Sequence, residues 1–312
     1  MSGAKPSPLA PLGRLSRDRF AGTNVLITGA SDGIGLEIAR WIASASGRIL
    51  MPVRSREKGE LAAARIRESV PDALITLYDL DLADLASTRA LADLLLAGGE
   101  PIHHYVMNAG LVLFGDRIRH VTPDGFEVHF QTNFLGHVAL TDGILPLLVA
   151  GRARVAAQVS LEGGHGRLAW DDLQSERRYG PLRAYRMSKI ALGLYATELQ
   201  RREGAAQGIT VNLCHPGVAP ATAIAAPIRA LLPRAAVDAV TRNLGNSPRQ
   251  GALTAVAALT ADAPAPAMYA PSHWFGVSGP PRRRPPFRTM TDAPEAKRIR
   301  DTALELLGGR AS

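Results

Sequence analysis

From residue 24 onward, short apolar runs alternate with longer stretches in which apolar residues recur at helical spacing. The runs Asn24–Thr28, Arg48–Val53, Leu74–Tyr78, Ile102–Met107, Arg154–Ser160 and Ile209–Leu213 predict strands. The helical spacing predicts helices over Gly33–Ala45, Arg56–Ser69, Leu85–Ala97, Thr132–Ala150, Leu182–Arg202, a stretch within 222–242, and Arg249–Ala261. Strands alternating with helices imply βαβ units with right-handed crossovers. The expected architecture is therefore α/β: a doubly wound parallel sheet of about seven strands with helices on both faces. Val25-Leu26-Ile27 and Val106-Met107 suit central parallel strands, which are buried on both sides. Residues 1–21, with Pro6, Pro8 and Pro11, predict a loose tail, and 22–312 a single domain. The Pro-rich stretch 262–290, carrying Trp274 and Phe275, predicts an irregular C-terminal lobe or flap on the substrate side.

Candidate chemistry begins directly after the first strand. Thr28-Gly29-Ala30-Ser31-Asp32-Gly33-Ile34-Gly35 places glycines with the spacing G-x3-G-x-G at a strand-to-helix turn. Glycines there permit positive φ and close backbone approach, and the helix start offers unpaired N–H groups and a positive dipole end to a pyrophosphate. The loop Gly29, Ser31, Asp32, Gly33, Ile34 and Gly35 is thus a candidate dinucleotide cradle. No Gly-Lys-Ser/Thr follows, so Walker A chemistry is excluded. At the end of the second strand, where NAD enzymes place a carboxylate for the ribose 2′-hydroxyl, this chain has Arg54, 54 − 35 = 19 residues past the last glycine, followed by Ser55. A guanidinium pairs bidentately with a 2′-phosphate, so NADP(H) is expected rather than NAD(H). Further on, Tyr185 and Lys189 stand at i and i+4, on one face of a predicted helix. A phenol titrating near 10 needs a neighbouring cation to act as acid or base at neutral pH.

Composition narrows the partners. Only Lys5, Lys58, Lys189 and Lys297 are lysines, so arginine supplies 36 − 4 = 32 of the basic residues behind the net charge of +8. The arginines are spread along the chain except at Arg282-Arg283-Arg284, which argues against nucleic acid. That triplet is expected to be a solvated turn, or else a dock for an anionic substrate handle. A single cysteine, Cys214, excludes intramolecular disulfides and Cys-rich zinc sites and fits a reducing, cytoplasmic compartment. No metal is expected: His103-His104 lacks a ligand pattern, and Cys214 and His215 point to opposite sides of a strand. Apolar stretches are interrupted well short of a membrane span, and no secretory signal is visible in residues 1–20.

Taken in order, Thr28-Gly29-x-x-x-Gly33-Ile34-Gly35, Asp79-Leu80-Asp81-Leu82, Asn108-Ala109-Gly110, Asn133, Ser160, Tyr185-x-x-x-Lys189 and His215-Pro216-Gly217 resemble the short-chain dehydrogenase/reductase family over about residues 22–218. Val53–Gly59 and Gly166–Gln174 are most similar to its retinol-dehydrogenase and WW-domain-oxidoreductase-like branch. The resemblance implies a Rossmann fold and roles residue by residue. Tyr185 would be the general acid/base, Lys189 would hold the nicotinamide ribose and lower the Tyr185 pKa, and Ser160 would orient the substrate oxygen. Asn133 would hold a water joining Lys189 to solvent. Asp81 and Leu82 would border the adenine, Asn108, Ala109 and Gly110 would lie beside the cofactor, and Pro216, Gly217 and Val218 would border the nicotinamide. It also implies a homodimer or homotetramer through the helices holding Asn133 and Tyr185.

There are departures. Ala157-Gln158-Val159-Ser160 stands where the family often has Asn-Val-Ser-Ser, and Met107 precedes Asn108 where it often has a second Asn. Thr222 is one residue off the usual spacing after Val218, which weakens it as a cofactor ligand. The 185 − 160 = 25 residue separation of Ser160 and Tyr185 matches the branch, and the stretch Leu161–Ala184, with Trp170 and Tyr179, is expected to wall the substrate site. The implied activity is interconversion of an apolar ketone or aldehyde and its alcohol, in lipid, retinoid-like or secondary metabolism. The alternatives are a catalytically silent NADPH-binding sensor, or a non-redox epimerase or dehydratase of the same fold.

Overall fold

The computed structural model describes residues 16–217, 245–273 and 276–308. Most of the predicted tail, the predicted helix within 222–242, Val218, Thr222, Trp274 and Phe275 lie outside them. Eight strands form one sheet: β1 (Asn24–Ile27), β2 (Arg48–Val53), β3 (Ile75–Asp79), β4 (His104–Met107), β5 (Arg154–Gln158), β6 (Thr210–Cys214), β7 (Met268–His273) and β8 (Ser278–Arg284). Their order is β3-β2-β1-β4-β5-β6-β7-β8, parallel throughout except for the β7–β8 pair. Val25 is registered with Ile49 of β2 on one side and His104 of β4 on the other. The chain winds outward in opposite directions from β1 and β4, so a crevice opens beyond their carboxyl ends.

Parallel neighbours need crossovers, and helices supply them on both faces. The period of two sends alternate strand residues to opposite cores. Val25, Ile27, Val106 and Ala156 pack with Ile38 and Ile42 of α1 (Gly33–Ala43) and with Ala255 of α8 (Pro248–Thr260). Leu26, Tyr105, Met107, Val155 and Ala157 pack on the other side with Phe134, with Val138 of α5 (Gly136–Gly143) and with Ile190 of α7 (Pro181–Gln207). Each such fully buried aliphatic side chain contributes about 1.5–3 kcal/mol. Polar capping fixes where helices begin: Ser55 accepts from the Lys58 N–H at the start of α2 (Arg56–Arg67), Asp84 caps α3 (Leu85–Gly98), and Ser247 and Gln250 form a reciprocal capping box on α8.

Three stretches differ from expectation. The helix predicted over Thr132–Ala150 is segmented into α4 (Val128–Phe130), a π turn over Gln131–Leu135, α5 and α6 (Leu145–Ala150). Pro146, in the first turn of α6, cannot donate back into a continuous helix. The 262–290 stretch carries two strands among its described residues. Its β7–β8 hairpin extends the sheet to eight strands, and Arg282–Arg284 lie on β8 rather than in a turn. Pro281 is accommodated because β8 is the edge strand. Last, Ala293–Leu306 forms α9, which buries Ala296, Ile299 and Ala303 and packs along α7. Its apolar positions recur at helical spacing, but it lies beyond the last predicted element.

Candidate active site

The crevice is shaped by glycines at close quarters. Gly29 has φ +67, and a Cβ there would lie 2.9 Å from the Ala109 Cα. A Cβ on Gly35 would lie 2.1 Å from the Gly29 carbonyl oxygen and 2.5 Å from Asn108 Nδ2. Asp32 caps α1, accepting the Gly33 N–H at 2.7 Å, while Ser31 and Ile34 flank it on the loop. Asn108 ties the two central strands together: its Nδ2 donates to the carbonyls of Thr28 (2.7 Å) and Gly29 (3.1 Å). The buried Thr28 hydroxyl accepts from the backbone N–H groups of Asn108 and Ala109 and meets His137 Nε2 at 3.0 Å. Burial pulls His137 down to about 3, with the Lys189 ammonium adding to the fall, so the ring is neutral.

Toward the adenosine side, Arg54 follows β2 and is exposed, with no ion pair among the described residues. Its neighbour Arg56 reaches Glu60 and Asp79 instead. Asp81 lies just past β3, where its Oδ1 accepts the Ala83 N–H, and Leu82 is buried against Gly136.

The chemical residues converge where β5 and α7 face β4. Lys189 Nζ donates to the Gln158 carbonyl at 3.0 Å. A Cβ on Gly110 would lie 3.1 Å from both Lys189 Nζ and Asn133 Oδ1, so the lysine and the asparagine stand together over that glycine. Asn133 Oδ1 accepts the Leu111 N–H, and its Nδ2 donates to the Leu111 carbonyl and the Ser188 hydroxyl. The amide is therefore committed to the loop and to α7, and a water beside it would be held by main-chain groups of the π turn. Tyr185 is buried. Burial pushes its phenol above the ordinary value, the nearby Ser160 hydroxyl pulls it back, and the Glu162 carboxylate raises it. Burial draws the Lys189 ammonium, one turn further along α7, down to about 8. Pro216 and Gly217 follow β6 at the mouth. Gly217 has φ +83 and its N–H donates to His215 Nδ1.

Residues 161–164 and 287–290 are tied to each other and to α7. Thr289 donates to the Gly163 carbonyl, and Thr197 of α7 donates to that of Met290. Trp170 is engaged by α9: its indole N–H donates to Glu295, and Arg298 stacks 4.0 Å over the ring. The Tyr179 phenol is pushed up to about 12 by burial and by Glu127 and Asp116. A buried pair anchors Leu113 to α4. The Leu113 N–H donates to His129 Nε2 at 3.1 Å, so the ring proton sits on Nδ1 and goes to Glu127 at 2.6 Å, while Glu127 also accepts the Phe130 N–H. Glu127→Ala leaves two buried donors unpaired and is expected to lose about 3 kcal/mol of stability, read by urea unfolding; a loss under about 0.5 kcal/mol would contradict that anchoring. A cavity of about 200 Å3 lined by Asp142, Tyr195, Arg202 and Arg300 lies at the opposite ends of α5 and α7 from Asn133 and Tyr185.

Of the positions picked from the sequence, the structure brings Gly29 and Gly35 against Asn108 and sets Gly110 beside Asn133 and Lys189, while Val218 lies outside the described residues. The predicted set omits Gln158, whose Nε2 donates to Asn108 Oδ1 at 2.7 Å while its carbonyl holds Lys189. The signal was its place in the segment that departs from the family pattern. It also omits Thr28, the first residue of the glycine motif, and His137, which carries no periodic or spacing signal of chemistry.

An open sheet whose order turns between β1 and β4, with a glycine loop at the turn and a tyrosine–lysine helix beside it, defines a dinucleotide-binding α/β protein. Residues 23–231, two thirds of the chain, match the short chain dehydrogenase family model, and the chain belongs to that family of oxidoreductases, in its retinol-dehydrogenase-like branch. It is 40% identical to human (Homo sapiens) retinol dehydrogenase 12 over 64% of the chain and 62% of that protein. It is 36% identical to mouse (Mus musculus) polyprenol dehydrogenase over 63% of the chain and 60% of that protein. The chain thus matches about three fifths of the length of these curated relatives. Among solved structures, an uncharacterised protein from Mycobacterium Paratuberculosis is 31% identical with a TM-score of 0.75, covering 94% of this chain and 96% of its own. The Pseudomonas aeruginosa RhlG/NADP active-site complex is 26% identical with a TM-score of 0.64, covering 81% and 94%.

Proposed function

We propose that the protein is an NADP(H)-dependent oxidoreductase that interconverts an apolar ketone or aldehyde and its alcohol, with Tyr185 as general acid/base. The observation that supports this reading is Lys189 and Asn133 standing together over Gly110, with Tyr185 one turn earlier on α7, beside the point where the sheet order turns. Retinol and polyprenol, named in two relatives, are apolar alcohols and support that substrate class. The reducing cytoplasm fits the one buried cysteine. Among the described residues no helix is long and apolar enough to cross a membrane. A homodimer or homotetramer through the helices holding Asn133 and Tyr185 belongs to the same proposal.

The residues present fit a dinucleotide. Side chains at Gly29 or Gly35 would close the cradle, and Arg54 stands without an ion pair among the described residues where a 2′-phosphate would reach it. When bound, NADP(H) supplies or accepts the hydride. Ser160 accepts the Glu162 N–H at 3.3 Å, which leaves its hydroxyl proton to point at a substrate oxygen. In reduction Tyr185 gives its proton to that oxygen, and in oxidation it takes the proton back. Lys189 and Asn133 hold the floor beside the phenol and would meet the nicotinamide ribose. Asp81, Leu82, Pro216 and Gly217 would flank the two rings.

The test follows NADPH absorbance with apolar ketones and aldehydes, and its reappearance with the matching alcohols. Turnover with at least one pair is expected; none across a broad panel would count against the reading. Arg54→Ala is expected to raise KM for NADPH by about tenfold, the size of a lost charge-assisted pair, with KM for NADH unchanged. Equal effects on both cofactors would remove Arg54 from the phosphate site.

A further inference from the structure

Two charged residues flank the reacting hydroxyls and have no part in the mechanism above. Arg186 follows Tyr185 on α7, and Glu162 lies two residues past Ser160 on the 3-10 turn Leu161–Gly164. They are locked together: Arg186 Nη2 and Nε both donate to Glu162 Oε2, at 2.6 and 3.2 Å. The arginine stem also lies against the loop, where a Cβ on Gly166, at φ +83, would come 3.2 Å from Arg186 Cδ. The Glu162 N–H in turn donates to Ser160 Oγ. One connected path therefore runs from Arg186 through Glu162 to Ser160, with the Glu162 carboxylate acting on Tyr185 across the turn.

We infer that Arg186 is a positioning residue: by pairing with Glu162 it keeps an unbalanced negative charge away from the Tyr185 phenol and fixes the turn that orients Ser160. This rests on Tyr185 and Ser160 being the reacting pair. Other titratable and charged groups on the elements packed around this end of α7 do not substitute for it. His129 of α4 is bonded to Leu113 and Glu127, and burial pushes the Cys214 thiol up to about 12 and draws His215 down to about 4. Lys189 is bonded to Gln158, Arg288 is exposed on the 3-10 turn Arg288–Met290, and Glu295 and Arg298 of α9 are engaged with Trp170. The pair is about one third exposed on each side, so its electrostatic effect is modest and its sign is the informative part.

The sign separates charge balance from simple scaffolding. Removing the cation leaves Glu162 unpaired and holds the phenol protonated to higher pH; removing the carboxylate leaves Arg186 unpaired and does the opposite. The titration of Tyr185 is read by NMR of carbon-13 tyrosine-labelled protein, with the resonance assigned by Tyr185→Phe, so the measurement does not depend on turnover. Arg186→Gln is expected to move the titration midpoint up, Glu162→Gln to move it down, and the double variant to return it near wild type. Arg186→Lys, which keeps the charge, is expected to stay near wild type, with thermal melting confirming that each variant folds. In alcohol oxidation below the midpoint, the same pattern gives about a threefold fall for Arg186→Gln and about a threefold rise for Glu162→Gln. Midpoints that do not move, or that move in the same direction in both single variants, would overturn the inference. An enzyme without turnover but with the opposed shifts would sink the proposed reaction and leave the charge balance standing.

Discussion

Replacing Tyr185 with Phe is expected to lower turnover about 1,000-fold, the middle of the range for a lost general acid/base, with NADPH affinity within about threefold of wild type. The expectation follows from what the hydroxyl touches. Tyr185 is buried, the rest of its ring is packed as Phe would be, and the one polar group lost is the hydroxyl beside Ser160. Burial holds the phenol protonated beyond its ordinary range, so the acid form needed for reduction persists across neutral pH. Oxidation needs the phenolate, so its rate is expected to climb as pH rises toward that raised value, while reduction falls there. Steady-state rates in both directions across pH, with cofactor binding by fluorescence, check both halves. A variant keeping a tenth of wild-type turnover would remove Tyr185 from the acid/base role.

The second large effect concerns the cradle. Gly35→Ala would set a methyl 2.1 Å from the Gly29 carbonyl and 2.5 Å from the Asn108 amide that joins β4 to the loop after β1. Backbone and a twice-bonded amide have to move, so we expect about 3 kcal/mol of lost stability and a drop in NADPH affinity of at least about tenfold. Gly98→Ala is the control. It is a helical position with nothing within 4 Å of the added Cβ, where gaining helix propensity should stabilise by up to about 1 kcal/mol. Thermal melts and NADPH titration of the pair separate a steric effect from a general intolerance of substitution. Equal behaviour of the two variants would contradict the cradle geometry.

Much of this was legible in the chain itself, for identifiable reasons. Parallel strands announce themselves as apolar runs, so β1 to β6 were placed to within one or two residues at most ends. The glycine loop was legible because only glycine fits its backbone, and Tyr185 with Lys189 because helical spacing puts both on one face. What escaped was set by tertiary contact. The β7–β8 hairpin carries Pro271, Pro280 and Pro281, residues that speak against strands unless an edge position excuses them. Trp170 is engaged by Glu295 and Arg298 of a helix that had itself gone unrecognised. The Glu162–Arg186 pair joins residues 24 apart, and nothing in either local sequence marks it.

The most direct test of the account is the fate of one hydrogen. The protein is incubated with NADPH deuterated at the transferable nicotinamide position and an apolar ketone or aldehyde, and the product is weighed by mass spectrometry. The account predicts an alcohol carrying one deuterium on the former carbonyl carbon, with product formation nearly abolished in Tyr185→Phe. Alcohol without the label, or labelled alcohol formed as fast by Tyr185→Phe as by wild type, would contradict it.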